Sequence, residues 1–172
     1  ATIHKIGVAS EVLMERAALK VVEETEKYLE KNERILVVCG SGNNGGDGIA
    51  IARLFYLKGI RAEFYMAGNK EKMTRETTLQ YKIATGYHVP EVNNPDWSEY
   101  TTIVDAVFGV GLARPIEGHY AKIIHEMNSA RAKKIAVDIP SGVNGDTGLE
   151  MGIAFSADLT VTFAYVKRGL CF

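Results

Sequence analysis

A glycine-rich segment from Gly40 to Gly48, with the letters GSGNNGGDG, has the composition of a phosphate-binding turn. It follows the apolar run from Arg34 to Cys39 and contains a G-x-G-x-x-G pattern. Glycine accepts positive φ angles and lets a backbone approach a phosphate closely. The N-terminus of a following helix adds free N–H groups and positive potential. The segment predicts an anion-binding turn, and a tight strand-to-helix turn without a ligand is the alternative.

Two common nucleotide-binding classes do not fit this segment. A dehydrogenase would carry an acid at the end of the second strand to bind the ribose, but that strand ends Tyr65-Met66-Ala67, and Glu63 lies too early in it. A P-loop would require Gly-Lys-Ser or Gly-Lys-Thr, which the glycine-rich segment lacks. The residues therefore argue against both a hydride-transfer enzyme and a P-loop NTPase.

Polar side chains also follow two later predicted strands. One loop begins at Asp105 and runs to Pro115, and another begins at Asp138 and contains Ser141. Because the carboxyl ends of strands in an open α/β sheet share one crevice, Asn44, Asp105 and Ser141 are expected to meet there. Oxygen ligands suit hard cations, and one carboxylate among neutral oxygens favours a monovalent ion over Mg²⁺. The alternatives are a helix cap for Asp105 and a turn hydroxyl bonded to its own backbone for Ser141.

Asp138 is a candidate for proton transfer. It ends the run Ile-Ala-Val and precedes Pro140 by two positions, so we expect partial burial. Burial raises the pKa of a carboxyl group and makes it usable near neutral pH, whereas a nearby cation lowers the pKa. The alternative is a structural aspartate that accepts hydrogen bonds from loop N–H groups.

The predicted elements that position these loops alternate between helix and strand. Apolar periodicity predicts helices over 10–31, 48–58, 70–85 and 116–130, and strands over 34–39, 61–67, 102–107, 134–139 and 159–164. Such alternation implies a parallel sheet with right-handed crossovers. We therefore predict an α/β fold, a Rossmann-like three-layer sandwich with a mostly parallel central sheet, as a single domain over 1–172.

Composition limits the remaining function classes. The 172 residues carry 20 Lys and Arg against 21 Asp and Glu, a formal net charge of −1, so we expect neither a nucleic-acid nor a membrane partner.

Cys39 and Cys171 form neither a disulfide framework nor a zinc site, which agrees with a cytoplasmic protein. The four histidines, His4, His88, His119 and His125, have no mutual metal-binding spacing. Lys167 and Arg168 are interpreted as a solvated tail rather than an anion contact.

Three motifs together resemble the NAD(P)H-hydrate epimerase family. They are Gly42 to Gly48 (GNNGGDG), Asp105 to Leu112 (DAxFGxGL) and Asp138 to Val143 (DIPSGV). The segments LMERA from Leu13, ADLTVTF from Ala157 and the Lys167-x-Gly169 element extend the resemblance over nearly the whole chain. Members usually have a further helical segment before this region and continue past Lys-x-Gly, so we expect the chain to be trimmed at both ends.

The resemblance implies an isomerase that interconverts the R and S epimers of NADHX and NADPHX, the C6 hydrates of NADH and NADPH. It implies a potassium ion held by Asn44, Asp105 and Ser141, and it assigns Asp138 as the catalytic acid that contacts the substrate. It leaves open a fused or separate hydrate dehydratase as a partner. The other substrate-binding residues that it implies lie in the first motif and in the segment 109–115, which extends three residues past the second motif: Asn43, Asn44, Gly45, Gly46, Asp47, Gly109, Val110, Gly111, Leu112, Ala113, Arg114 and Pro115.

A homodimer is the expected assembly, both from the resemblance and from the first predicted helix. Its apolar positions occupy more than a narrow stripe, which suggests a second covering surface; they are Val12, Leu13, Ala17, Val21 and Val22. A helix packed only on its own sheet is the alternative. At the level of function, the alternative is a non-catalytic dimeric scaffold or RNA-associated domain of the same fold. The motif residues and the balanced charge argue against that alternative.

Overall fold

The computed structural model describes residues 10–162, which form a six-stranded sheet in the order β3-β2-β1-β4-β5-β6. Every adjacent pair of these strands is parallel. The order is that of a doubly wound dinucleotide-binding sheet, so the predicted Rossmann-like α/β fold is confirmed. The strands are β1 Arg34–Cys39, β2 Arg61–Met66, β3 Glu91–Val92, β4 Thr102–Ala106, β5 Lys133–Val137 and β6 Leu159–Val161.

Helices cover both faces of the sheet. Within residues 10–162 the α-helices are α1 Ser10–Glu26, α2 Asn43–Leu57, α3 Arg75–Gly86 and α4 Gly118–Ser129. Helices α1, α2 and α3 share one buried cluster with Val37 of β1, whereas α4 shares the other cluster with Val38. Because successive strand residues point to opposite faces, the apolar run in β1 is buried on both sides. This arrangement makes three layers.

Several element boundaries differ from the prediction. The first helix ends at Glu26, five residues before the predicted end. The predicted helix over 70–85 is interrupted: a 3₁₀ turn spans Lys70–Lys72, and α3 begins at Arg75 after Thr74, whose hydroxyl accepts the N–H of Thr77 at 3.2 Å. The short strand β3 is absent from the strands predicted from the sequence. Two residues are too few to show an alternating pattern.

The topology gathers the polar loops at one edge of the sheet. The chain moves outward from β1 to β2 and β3, then returns to place β4 on the other side of β1. The carboxyl ends of β1 and β4 therefore flank the switch point at which open α/β sheets bind ligands.

The predictions made for His4, Lys167, Arg168 and Cys171 concern residues outside the described part of the chain. Among residues 10–162, no helix is both long enough and apolar enough to cross a membrane.

Candidate active site

The glycine-rich segment forms the start of α2 rather than an extended turn. The helix begins at Asn43, five residues before the predicted start at Gly48. Gly42 occupies the N-cap position and has no side chain to accept the first N–H groups. The N–H of Gly45 donates to the Gly42 carbonyl at 3.0 Å, and the N–H groups before it are positioned for a ligand oxygen.

The glycines of this segment allow close packing, and none of them has a positive φ angle. The glycines with positive φ in the described chain all lie elsewhere. A Cβ atom on Gly40 would lie 2.1 Å from the carbonyl oxygen of Val107, and one on Gly45 would lie 1.8 Å from that of Gly40. The missing side chains thus let α2 sit directly against the ends of β1 and β4.

Asn43 connects the start of α2 to the start of α3. Asn43 is exposed, and its Oδ1 accepts a hydrogen bond from Thr74 Oγ1 at 2.6 Å. The backbone N–H of Thr74 donates to the carbonyl of Ser41 at 3.1 Å, and Thr77 Oγ1 donates to that of Gly42 at 2.8 Å. The sequence analysis did not identify Thr74 or Thr77 as neighbours of the site. Threonine is a preferred N-cap residue, so Thr74 could have been recognised from the sequence as the N-cap of α3.

Asn44 has a buried side chain without hydrogen-bond partners. Only 8% of the residue is exposed, and neither its Oδ1 nor its Nδ2 atom has a partner. A Cβ atom on Gly109 would lie 3.6 Å from Asn44 Cβ, so the amide lies beside the loop that follows β4. Buried amides are normally paired, because an unpaired one loses its hydration without compensation. The site therefore leaves a donor and an acceptor for a bound species.

Asp105 and Ser141 form a buried pair between the ends of β4 and β5. Ser141 Oγ donates to Asp105 Oδ1 at 2.6 Å and accepts the N–H of Phe108 at 2.9 Å. The carboxylate also accepts the N–H groups of Ser141 at 2.7 Å and Val107 at 3.1 Å. Both structural alternatives are wrong: Asp105 bridges two loops instead of capping a helix, and the hydroxyl of Ser141 bonds to other residues.

The charge of Asp105 is incompletely compensated by protein groups. Its side chain is fully buried, and burial raises its pKa to about 6 against the opposing effect of the hydrogen bonds from Ser141 and Val107. None of the ion pairs among residues 10–162 includes this carboxylate. A nearby cation would favour its charged form.

A monovalent cation fits this group of oxygens. The oxygen cluster, defined as Asn44, Asp105 and Ser141, combines one carboxylate, one hydroxyl and one unpartnered amide oxygen. The Phe108 carbonyl lies 3.4 Å from Ser141 Oγ and adds a fourth oxygen, which the sequence analysis missed. Hard cations take such ligands, and one formal negative charge matches one positive charge.

The loop 109–115 lies at the surface beside this cluster. Val110 is 57% exposed, and Gly111, Ala113, Arg114 and Pro115 are exposed as well, whereas Gly109 and Leu112 are half-buried. The base of the loop is fixed, because the N–H of Ile116 donates to the Met151 carbonyl at 2.8 Å. The loop residues therefore border the crevice and remain accessible to a ligand.

Asp138 and Asp47 are both buried at this edge. Asp138 directly follows β5, is 7% exposed as expected, and has a φ of 70°. Asp and Asn adopt this left-handed conformation more readily than most residues. Asp47 lies in the second turn of α2 and is 3% exposed, and Gly46 beside it is also buried. The direct ligand contact predicted for Asp47 stays a prediction.

The carboxyl ends of β1, β4 and β5 thus carry the three motifs in one crevice. The sequence model of the family described as YjeF-related protein N-terminus matches residues 10–169. The chain belongs to this family. Because the match covers all three motifs, the residues that converge at the crevice are those that define the sequence resemblance.

Curated relatives match almost the whole chain. The NAD(P)H-hydrate epimerase of Oenococcus oeni is 52% identical over 171 residues, which cover 98% of this chain and 81% of that protein. The NAD(P)H-hydrate epimerase of Limosilactobacillus fermentum is 46% identical, with 98% and 82% coverage. The crystal structure of the yeast protein YNL200c superimposes with a TM-score of 0.80 at 24% identity and covers 92% of this chain and 72% of that one. The last comparison supports the fold.

Proposed function

We propose that this family member is an NAD(P)H-hydrate epimerase, an isomerase that interconverts the R and S epimers of NADHX and NADPHX. The observation that carries the proposal is the convergence of the oxygen cluster, the open N-terminus of α2 and Asp138 at one sheet edge. Relatives with that name at 52% and 46% identity support the same activity.

The substrate is a dinucleotide whose diphosphate needs a positive environment. The uncapped N-terminus of α2 supplies N–H groups and helix-dipole potential. The substrate-binding residues are Asn43 to Asp47 and Gly109 to Pro115, together with Asp138. The loop 109–115 is accessible, which suits contact with a ligand that must enter and leave.

Asp138 is the catalytic residue in this proposal. The reacting carbon, C6, carries a hydroxyl group beside the ring nitrogen, and its configuration changes when the C6–O bond, or the ring, opens and re-forms on the other face. If the C6–O bond breaks, a positioned carboxyl gives a proton to the hydroxyl group, which leaves as water while N1 forms a double bond to C6; water then adds to the other face and returns a proton to the carboxylate. If the ring opens instead, the carboxylate moves the hydroxyl proton to N1 as the N1–C6 bond breaks and C6 becomes an aldehyde, and the reverse step closes the ring. The reaction is therefore balanced without an oxidant or reductant.

The oxygen cluster is the proposed potassium site. Asn44, Asp105 and Ser141 would hold the ion, and the unpartnered Asn44 amide and the buried Asp105 charge support this assignment. When bound, the ion supplies a fixed positive charge that compensates Asp105 and the substrate phosphates. Asp105 and Ser141 contribute by fixing the loops after β4 and β5 relative to each other.

The proposed homodimer contact on α1 involves fewer residues than the sequence suggested. Ala17, Val21 and Val22 are buried in the chain's own core, so they need no second covering surface. Val12 is 46% exposed and Leu19, seven positions later, is 38% exposed. Residues seven apart lie on one helix face, and this smaller apolar face is the proposed contact.

The cellular setting follows from the proposed substrate. A damaged reduced coenzyme arises where the intact coenzyme is used, and we place the repair activity in the cytoplasm. An epimerase does not remove the hydrate by itself, so the proposal includes a hydrate dehydratase, fused or separate, that consumes one epimer.

The test is C6 epimer exchange of NADHX in potassium buffer, followed by chromatography of the two epimers. The protein should bring a sample enriched in one epimer to equilibrium faster than buffer alone. In the presence of a separate S-specific dehydratase it should also allow the R epimer to be consumed. Exchange at the buffer rate by folded protein would refute the activity.

A further inference from the structure

A groove lies on the sheet face that carries α4, and its walls include no residue of the oxygen cluster or of the three motifs. It encloses a cavity of about 310 Å³ between the ends of β2 and β3 and the side of α4. Its walls include Tyr65 and Trp97 on one side and His119, Lys122 and Glu126 on the other. We call it the aromatic groove. Its size is at the lower end of the range for small-molecule sites.

The chemistry of the aromatic groove suits a flat heterocycle. Tyr65 and Trp97 pack edge to face, with ring centroids 6.3 Å apart. An imidazole, an ammonium group and a carboxylate from one helix supply both donors and acceptors. Purine bases combine a stacking surface with polar edges, and stacking on aromatic side chains is a general way of binding them.

The aromatic groove adjoins the crevice through His119. Its ring Nε2 lies 3.0 Å from the carbonyl oxygen of Ala67, which directly follows β2. The N–H of Ala67 donates to the carbonyl of Cys39 at 2.8 Å. A Cβ atom on Gly68 would lie only 2.4 Å from the backbone nitrogen of Ser41. The groove therefore begins next to the glycine-rich segment.

The order of sites along the sheet edge fits the order of groups in a dinucleotide. Asp138 follows β5 and Ala67 follows β2, and these strands are separated by β4 and β1. Three interstrand spacings of about 4.8 Å give about 14 Å. A dinucleotide has a base at each end and a diphosphate between them, and in doubly wound sheets it lies across the switch point. The N-terminus of α2 lies between the two ends.

We propose that the aromatic groove binds the adenine nucleotide half of the substrate, while the nicotinamide half lies at Asp138. This proposal rests on the proposed function and extends it to the other end of the ligand. His119 and Lys122 become binding residues, and Trp97 becomes a wall of the adenine site. The loop 109–115 and the oxygen cluster then contact only the reacting half.

Trp97 makes the proposal directly measurable, because it is the single tryptophan of the chain. The protein should be titrated with 5′-AMP and, separately, with nicotinamide mononucleotide while tryptophan emission is recorded. We expect 5′-AMP to change the emission in a saturable manner. Nicotinamide mononucleotide carries the same kind of phosphate but should leave the emission unchanged. 5′-AMP should also compete with NADHX in the exchange assay.

Variants on one helix separate a binding role from a structural one. His119→Ala and Lys122→Ala remove groove side chains, and His125→Ala is the matched control, because His125 is exposed on the same helix and does not line the groove. The first two should weaken 5′-AMP binding and raise KM about three- to tenfold, the effect of losing one stacking or polar contact. Their kcat should stay unchanged, and His125→Ala should alter neither constant.

The outcomes distinguish this proposal from the proposed function. The groove assignment is overturned if the protein exchanges epimers but 5′-AMP leaves Trp97 emission unchanged, or if nicotinamide mononucleotide changes it instead. It is also overturned if both groove variants keep the KM of the control. Absence of exchange in the unmodified protein would refute the function, and the 5′-AMP titration would still decide whether the groove binds an adenine nucleotide.

Discussion

Replacing Asn44 by leucine tests the cation assignment through stability rather than activity. Both polar atoms of the Asn44 side chain are buried and unpartnered when no ion is bound. Leucine has the same number and branching of side-chain heavy atoms and needs no hydrogen bonds, although its methyl groups are larger than the amide atoms that they replace. We therefore expect Asn44→Leu to stabilise the potassium-free protein, although it should remove the amide oxygen from the proposed site.

The expected magnitude follows from the two unpaired atoms. A buried polar group without a partner costs about 1–3 kcal/mol, so relieving the amide oxygen and nitrogen contributes about 2–6 kcal/mol. Crowding by the larger methyl groups opposes this by about 1–3 kcal/mol, which leaves an expected net increase of about 2 kcal/mol in the free energy of unfolding. In potassium at about 100 times its Kd, the unmodified protein should gain about 2.7 kcal/mol. The variant should gain nothing, so potassium should cancel or reverse the difference between the two proteins.

Urea denaturation in choline chloride and in potassium chloride, at equal ionic strength, measures both effects. Asn128→Leu is the matched control, because Asn128 Nδ2 donates to the Ala154 carbonyl at 3.0 Å and its Oδ1 accepts the N–H of Ser156 at 2.8 Å. Loss of two formed hydrogen bonds should destabilise that variant by about 2 kcal/mol, with the potassium response intact.

Destabilisation of the potassium-free protein by Asn44→Leu, to the same extent as by Asn128→Leu, would contradict this prediction. That result would mean that the Asn44 amide is already satisfied without an ion. An undiminished potassium response in Asn44→Leu would separately remove Asn44 from the proposed ligand set.

Three further predictions concern packing, pH and assembly. Gly45→Ala should destabilise the fold by about 3 kcal/mol or more in the same urea assay, because the new Cβ would lie 1.8 Å from the Gly40 carbonyl oxygen. Gly42→Ala is the control: its Cβ would have no atom within 4 Å, and it should cost about 1 kcal/mol or less. Burial opposes ionisation of Glu33, but hydrogen bonds from Lys133, two threonines and a backbone N–H outweigh it and lower its pKa from 4.5 to about 2. The stabilisation from the ionised Glu33 is complete above pH 4.5 and is lost as the pH falls towards 2. Acid should therefore lower the free energy of unfolding of the unmodified protein by about 3 kcal/mol more than that of Glu33→Gln. Equal acid sensitivity of the two proteins would contradict the lowered pKa of Glu33. Light scattering at micromolar concentration should give twice the mass of one chain, and Val12→Glu should give one; a monomer mass for the unmodified protein would remove the dimer.

Much of the fold was predictable because apolar runs and helix–strand alternation report on burial. The run Arg34 to Cys39 matches β1 at both ends, since a strand covered on both faces needs continuous apolar residues. The start of α2 was misplaced because Asn43 to Gly46 have low helix propensity. Their helical conformation depends on close packing against β1 and β4, which involves residues distant in sequence.

The position of the candidate site in the fold could be predicted from the sequence, but the hydrogen bonds within it could not. Parallel topology alone brings the loops after β1, β4 and β5 together. The hydrogen bonds between Asp105 and Ser141, and between Thr74 and Asn43, connect segments more than 30 residues apart in the sequence. No local pattern specifies such pairs. The sequence indicated only that His119 has no metal-binding spacing to the other histidines. Its position between Ala67 and the aromatic groove required the three-dimensional structure.

The most direct test of Asp138 as the catalytic residue is the initial rate of C6 epimer exchange by Asp138→Asn. It should be compared with the rate of the unmodified protein in the same potassium buffer. Asparagine tolerates the left-handed backbone of this position, so the fold and 5′-AMP binding should be preserved. Loss of the proton carrier should lower kcat about 10²- to 10⁴-fold. A folded variant that exchanges the epimers within about twofold of the unmodified rate, far less than the loss of a general acid–base group causes, would contradict the account.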